Sequence, residues 1–167
     1  MTSATLHASA VLVGARAVLI RGPSGAGKSR LALELIEAAR AGRLRFARLV
    51  GDDRVHLEAV GGRLLVRPAA ALAGLIELRG AGIRRVDYEP CAVVGTVVDL
   101  GATYAERLPD RPTIAIEGIE IPRLAVASGA APLPPVLPHH LTRCGYGCGS
   151  GRSIVLICNK PHAAFGN

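Results

Sequence analysis

Aromatic residues are scarce: the chain has no Trp, three Tyr and two Phe. That argues against a platform of stacked rings for single-stranded nucleic acid. Lysine is scarcer still, two residues against 18 arginines. The formal net charge of +7 therefore rests on arginines, and these are scattered with no run, beside many Ala, Gly and Pro. This is the bias of a GC-rich coding sequence, and no nucleic-acid partner is expected from it. A basic face that meets an acidic protein is left open. Half the residues are hydrophobic, yet no apolar run reaches the ~18–20 residues that span a bilayer. The N-terminus, Met1-Thr2-Ser3-Ala4-Thr5-Leu6-His7, lacks a basic stretch ahead of an apolar one, so it does not read as a secretory signal. A cytoplasmic protein with no membrane partner is expected. Cysteine is limited to Cys91, Cys144, Cys148 and Cys158, which does not suggest a disulfide scaffold. Cys91 reads as a small buried hydrophobe in an apolar strand. Cys144 and Cys148, near His139, His140 and His162, could hold zinc, but no second Cys pair or H-x₃₋₅-H follows.

What is present is more specific. Gly22-Pro23-Ser24-Gly25-Ala26-Gly27-Lys28-Ser29 matches G-x-x-x-x-G-K-[ST], a phosphate-binding loop. The glycines let successive N–H groups point into one concavity, and the positive end of the following helix faces the same spot. Lys28 can reach the outer phosphates of ATP, and the Ser29 hydroxyl can bind Mg²⁺. The context fits: Ala17-Val18-Leu19-Ile20 reads as a buried strand entering the loop. Leu31, Leu33, Leu35 and Ile36 read as a helix leaving it.

The 167 residues suffice for one domain with a core. Val11–Val13 and Ala17–Ile20 flank Gly14-Ala15-Arg16, so a hairpin leads into the loop. The helix is expected from about Lys28 to near Gly42, a good residue to follow a helix end. Phe46–Val50 is a second apolar run, closed by Gly51-Asp52-Asp53. Val55-His56-Leu57 and Leu64-Leu65-Val66 surround Gly61-Gly62, a further hairpin. Leu75–Leu78 precedes Arg79-Gly80-Ala81-Gly82, and Ala92–Leu100 reads as a central strand. Thr113–Ile116, Ile119–Ile121 and Leu124–Val126 read as three short strands. Strands outnumber helices, which argues for a mixed sheet in an α/β phosphate-loop domain and not a fully alternating βα array. That domain is expected over residues 1–135. Residues 136–167 form an atypical Pro-, Gly- and Cys-containing tail.

Asp52-Asp53 lies where such folds put an acid beside Mg²⁺ and the γ-phosphate. Alone the pair would be an ordinary turn. Downstream of a phosphate loop, one carboxylate can hold metal or its water while the other takes a proton from a hydroxyl. Glu77 ends an apolar strand and is a candidate oxygen ligand for Mg²⁺. His7 sits near the start of a strand that can run antiparallel to the loop strand, which would bring it near the loop. Arg107 could stabilise a transferring phosphoryl group or could be an ordinary surface cation.

Taken together, His7 with its following apolar strand, residues 22–29, Leu49-Val50-Gly51-Asp52-Asp53-Arg54-Val55 and Leu75-Ile76-Glu77-Leu78-Arg79-Gly80-Ala81-Gly82-Ile83 resemble HPr kinase/phosphorylase. The Tyr104–Leu108 segment and Ile119-Glu120-Ile121-Pro122 continue the order, so the resemblance covers roughly residues 6–126. It implies a fold similar to phosphoenolpyruvate carboxykinase and phosphorylation of a serine on HPr, the small phosphotransferase-system carrier, reversible by phosphorolysis. It further implies a catalytic set of His7, Lys28, Asp53 and Arg107, Mg²⁺ ligands Ser29 and Glu77, and nucleotide binding by residues 22–29. It looks like the short bacterial form, the catalytic domain alone, and leaves room for a homo-oligomer. After Val126 the family's Pro-x-x-Pro-Gly-Arg-like segment is replaced by Ala127-Ser128-Gly129-Ala130-Ala131-Pro132, which bears on the reverse reaction. The competing readings are a small-metabolite kinase, which would need an arginine-rich lid segment, and a non-catalytic ATP sensor, which would tolerate loss of Asp53.

Overall fold

The hydrophobic pattern switches from period 2 to period 3.6 and back, and the chain folds accordingly. The structure is a computed structural model and describes residues 4–102 and 113–127. Its strands are β1 (Ala4–Leu6), β2 (Ser9–Val13), β3 (Arg16–Arg21), β4 (Ala47–Gly51), β5 (Val55–Val60), β6 (Arg63–Pro68), β7 (Leu75–Leu78), β8 (Gly82–Arg85), β9 (Ala92–Leu100), β10 (Thr113–Ile116) and β11 (Ile119–Val126). The helix α1 spans Lys28–Arg40. The main sheet runs β1-β5-β6-β9-β3-β2-β4, with β11 also on β9 and β10 on β11, while β7 and β8 pair separately.

The nine-residue β9 is the hub, as its run of β-branched residues suggested. It lies parallel to β3 and β11 and antiparallel to β6. β6 takes only Ala92–Val93, and β11 takes Val97–Leu100. The sheet is mixed for this reason.

Side chains alternate along the inner strands, so each face of the sheet has its own core. On one face Val18 and Ile20 of β3 and Val98 and Leu100 of β9 pack with Leu31, Leu35 and Ile36 of α1. On the other, Ala17, Leu19, Val94 and Val97 meet Val55, Leu57, Leu64, Val66 and Ile121. Strands of the one sheet thus supply both sides of the second core. Leu35 is fully buried in the helix-side core. Leu35→Ala is expected to cost about 2–5 kcal/mol, read as a lower denaturant midpoint at unchanged slope.

Helix α1 stops where the sequence predicts. Gly42 takes φ +74°, its N–H donates to the Ala39 carbonyl at 3.0 Å, and the Arg43 N–H donates to Ala38 at 2.8 Å. This is a Schellman ending, for which glycine is the natural residue.

Two local readings need correction. Leu124–Val126 is not a separate strand but the end of β11, because Pro122 and Arg123 continue the extended chain from Ile119. Cys91 lies just before β9 and is half-buried, not enclosed within a strand. Arg107, the Tyr104–Leu108 segment, Cys144, Cys148, Cys158 and the tail 136–167 fall outside the described residues. No helix among the described residues is long and apolar enough to cross a membrane.

Candidate phosphate-loop site

The loop between β3 and α1 is held by features of its own sequence. Gly22, Gly25 and Gly27 have φ of +149°, +84° and +96°. At Gly22 a Cβ would fall 2.7 Å from the Leu100 carbonyl oxygen, so only glycine lets the loop leave β3 this close to β9. Gly27 caps α1 with no side-chain hydrogen bond, and the first turn carries no acid. The leading N–H groups of the helix are therefore left for an anion rather than taken by the protein.

Lys28 opens α1 and is 7% exposed. Its Nζ donates to the carbonyls of Gly22 (3.0 Å) and Pro23 (3.1 Å). Burial pushes the ammonium below the usual lysine range, although the Asp52 and Asp53 carboxylates favour its charge. An anion in the loop would supply the missing charge.

The two adjacent acids have different surroundings. Asp52 is 3% exposed and accepts from every side. The Ser9 hydroxyl donates to its Oδ1 (2.5 Å), the Ser29 hydroxyl lies 2.8 and 2.9 Å from its two oxygens, and the Glu77 N–H donates to Oδ2 (3.1 Å). One carboxylate thus ties together β2, α1 and β7. Asp53 is 54% exposed and its Oδ1 lies 2.9 Å from His7 Nε2. The antiparallel pairing of β2 with β3 and β4 brings His7 here from the chain start, as the sequence suggested. Asp53 also has φ +66°, and the Arg54 N–H donates across it to the Asp52 carbonyl at 2.8 Å. This is the rare positive-φ form of a γ-turn, strained for any residue with a Cβ. The strain turns two neighbouring carboxylates into different environments.

The residues present fit a hydroxyl-bound Mg²⁺. Ser29 Oγ sits at the Asp52 carboxylate, which gathers hard oxygen atoms at the mouth of the loop, and Mg²⁺ in such sites completes its shell with water and phosphate oxygens. Glu77 is exposed beside them, anchored by its backbone N–H on Asp52. Among the described residues no three His, Cys, Asp or Glu side chains converge on a single point, and a metal shared with phosphates requires no such cage.

Two contributors carried little signal in the sequence. Ser9 is an ordinary strand residue until β2 pairs with β4 and sets its hydroxyl against Asp52. Arg79 reaches the loop from the β7–β8 turn, its Nη2 2.9 Å from where a Cβ of Gly25 would stand. The structure thus brings together His7, residues 22–29, Asp52, Asp53, Glu77 and Arg79.

The HPr serine kinase C-terminal domain family matches residues 1–89. HPr kinase/phosphorylase of Limosilactobacillus reuteri (strain DSM 20016) is 35% identical over 135 residues, 73% of this chain and 40% of that protein. The enzyme of the same name from Clostridium beijerinckii is 42% identical over 78 residues, 47% of this chain and 24% of its own. The solved Hpr(Ser) kinase/phosphatase from Coxiella burnetii superposes with a TM-score of 0.66 at 27% identity, covering 84% of this chain and 89% of that one. The chain spans well under half the length of these two curated relatives. Its fold is that of the Coxiella kinase, and the chain belongs to the HPr serine kinase C-terminal domain family.

Proposed function

We propose that this chain is an ATP-dependent protein serine kinase whose substrate is HPr or an HPr-like carrier. The observation that carries the reading is the split of the acid pair beside the phosphate loop. Asp52 is buried against Ser29, while Asp53 stands half-exposed against His7. In this reading residues 22–29 hold the β- and γ-phosphates of ATP, with Lys28 exchanging its loop carbonyls for phosphate oxygens. Ser29 and Glu77 are the Mg²⁺ ligands, with Asp52 orienting the Ser29 hydroxyl. The ion, when bound, neutralises charge on the phosphates. Asp53 takes the proton of the attacking serine, with His7 holding the carboxylate in place. The serine Oγ–P bond forms as the bond from the γ-phosphorus to the β-phosphate oxygen breaks, and ADP leaves. Arg107 stabilises the transferring group, and Arg79 is placed to add a second cation. Positioning and electrostatics supply most of the rate. Residues 1–135 are taken as the catalytic unit and 136–167 as an appended tail, in a cytoplasmic protein that can self-associate.

The test is labelled ATP with purified HPr beside a panel of small metabolites. Label on a serine of HPr is expected. Label on a metabolite alone would replace this reading with a metabolite kinase, and ATP binding without transfer would replace it with a sensor.

A direction follows as well. Phosphorolysis must position a phosphate ion as nucleophile, which calls for further cationic donors. Ala127 to Pro138 contains no Arg or Lys. Pyrophosphate release from phosphoserine-HPr at millimolar phosphate is therefore expected to be weak or absent beside forward transfer. Comparable turnover in both directions would show that Arg79 or Arg123 does this work instead.

A further inference from the structure

A cluster of charges lies inside the molecule at the carboxyl end of the central strands, and the mechanism above does not use it. Asp99, near the end of β9, is 8% exposed. It is the register partner of Arg21, the last residue of β3. Two bonds join their side chains: Arg21 Nε donates to Oδ1 at 2.7 Å and Nη2 to Oδ2 at 2.9 Å. Arg123 of β11 brings a second guanidinium to 3.9 Å from Oδ2. Side chains alternate along both strands, and Ile20, Val98 and Leu100 pack toward α1. The Arg21–Asp99 pair therefore stands on the opposite face of the sheet, behind the phosphate loop.

Arg21 is followed directly by Gly22, the first residue of the loop. This junction is held from two sides. From behind, the Arg21 fork grips Asp99, and Gly22 sits against the Leu100 carbonyl with no room for a Cβ. From the front, Lys28 Nζ donates to the carbonyls of Gly22 and Pro23. The front hold is temporary, because a bound phosphate takes over the Lys28 ammonium and releases both carbonyls. The rear hold involves no group that the nucleotide needs, so it persists when the loop is filled.

Taking an arginine and a carboxylate out of water costs about as much as their attraction returns, so such a pair adds little net stability. What a bidentate fork does supply is direction. We infer that Arg21, fixed by Asp99, is a positioning residue for nucleotide binding: it keeps the entry of the phosphate loop in its binding shape before and after Lys28 leaves the loop carbonyls. The inference rests on the nucleotide reading of the loop. A loop ordered in advance need not be ordered by its ligand. The clamp therefore acts on affinity, and little on a step that starts with the nucleotide already in place.

Arg21→Met tests this, because it removes the fork, fills a similar volume and leaves Asp99 its Arg123 neighbour. Arg48→Met is the control. It breaks another half-buried arginine–carboxylate pair, with Glu89, and its partners, Glu89 and the Phe46 ring, lie outside the loop. Two quantities are measured on each variant: hydrogen exchange of the amides of residues 22–31 without ligand, and Mg²⁺-ATP affinity by calorimetry. Arg21→Met is expected to speed exchange across the loop and to weaken Mg²⁺-ATP about tenfold. Arg48→Met is expected to leave both near wild type, whatever its melting temperature. Arg21→Lys, which keeps the charge and loses the fork, is expected to fall between. In transfer assays Arg21→Met should raise KM for ATP about tenfold and change kcat less than about threefold. Unchanged exchange and affinity in Arg21→Met would overturn the inference. So would equal effects from Arg48→Met, which mark a general loss of stability, or full recovery by Arg21→Lys, which marks charge alone. If the wild type binds Mg²⁺-ATP and transfers nothing, the kinase reading fails, while exchange and affinity still decide this one.

Discussion

Mg²⁺-ATP is expected to raise the melting temperature of the wild-type protein, and Lys28→Ala is expected to remove most of that rise. A ligand that binds only the folded state stabilises by mass action, about 2.7 kcal/mol at 100 times its dissociation constant. For a domain of this size that corresponds to roughly 5–15 °C. Lys28 is the residue whose contribution should be most visible. Its ammonium is buried, held below its usual pKa range by that burial, and spends its hydrogen bonds on two loop carbonyls. Replacing those carbonyls with phosphate oxygens gives a desolvated cation a full counter-charge, an interaction that alanine lacks. The ligand-free variant should melt close to wild type, because the alanine also removes a buried charge. Differential scanning fluorimetry across ATP concentrations reads both quantities. Equal stabilisation of the two proteins by Mg²⁺-ATP would mean that the nucleotide does not sit in the loop.

The loop, its strand and its helix were legible in the sequence because each is specified locally. Glycines stand where φ must be positive, an apolar run enters, and a period-3.6 stretch leaves and ends at Gly42. The central position of β9 was legible for a similar reason, since nine residues with Val93, Val94, Val97 and Val98 among them suit a strand buried on both faces. His7, residues 22–29, Asp52, Asp53 and Glu77, which the sequence singled out, lie near one another, but how they are arranged was not legible, and Arg107 falls outside the described residues. That His7 stands against Asp53 in particular, and that Ser9 and Ser29 meet Asp52, follows from β2 lying between β3 and β4, while the Glu77 backbone reaches Asp52 from the separate β7–β8 pair. That is a non-local pairing on which sequence spacing is silent. The division between Asp52 and Asp53 was equally hidden. It depends on one residue held at positive φ in a strained turn, a conformation that an aspartate in the sequence does not announce. The merging of Leu124–Val126 into β11 was missed because Pro122 reads as a break, whereas the strand accommodates it.

Asp53→Asn is expected to leave ATP binding intact and to reduce phosphoryl transfer by a factor on the order of 10²–10⁴, the usual contribution of a positioned base. Asparagine suits the test because it tolerates φ +66° and can still accept a hydrogen bond from His7, so the turn and its partner are retained while the proton acceptor is removed. Asp53→Gly separates chemistry from folding. Glycine relieves the strain of positive φ, about 1–3 kcal/mol, which offsets its greater freedom in the unfolded chain, about 0.4–1 kcal/mol, and the loss of an exposed pair with His7, about 0.2–1 kcal/mol. It should therefore fold with near-wild-type stability and transfer no better than the asparagine variant. Asp52→Asn should behave differently. It replaces an acceptor that takes the Ser9 and Ser29 hydroxyls and the Glu77 N–H with a group that is half donor, which leaves buried donors unmatched. The expected result is a lower melting temperature and a higher Mg²⁺ requirement, with any remaining transfer still dependent on Asp53. Single-turnover transfer and nucleotide affinity, measured on all three variants, decide the assignment. If Asp53→Asn keeps transfer and loses ATP affinity, the roles are exchanged: the exposed carboxylate belongs to the metal, and Asp52, despite its enclosure, is the base.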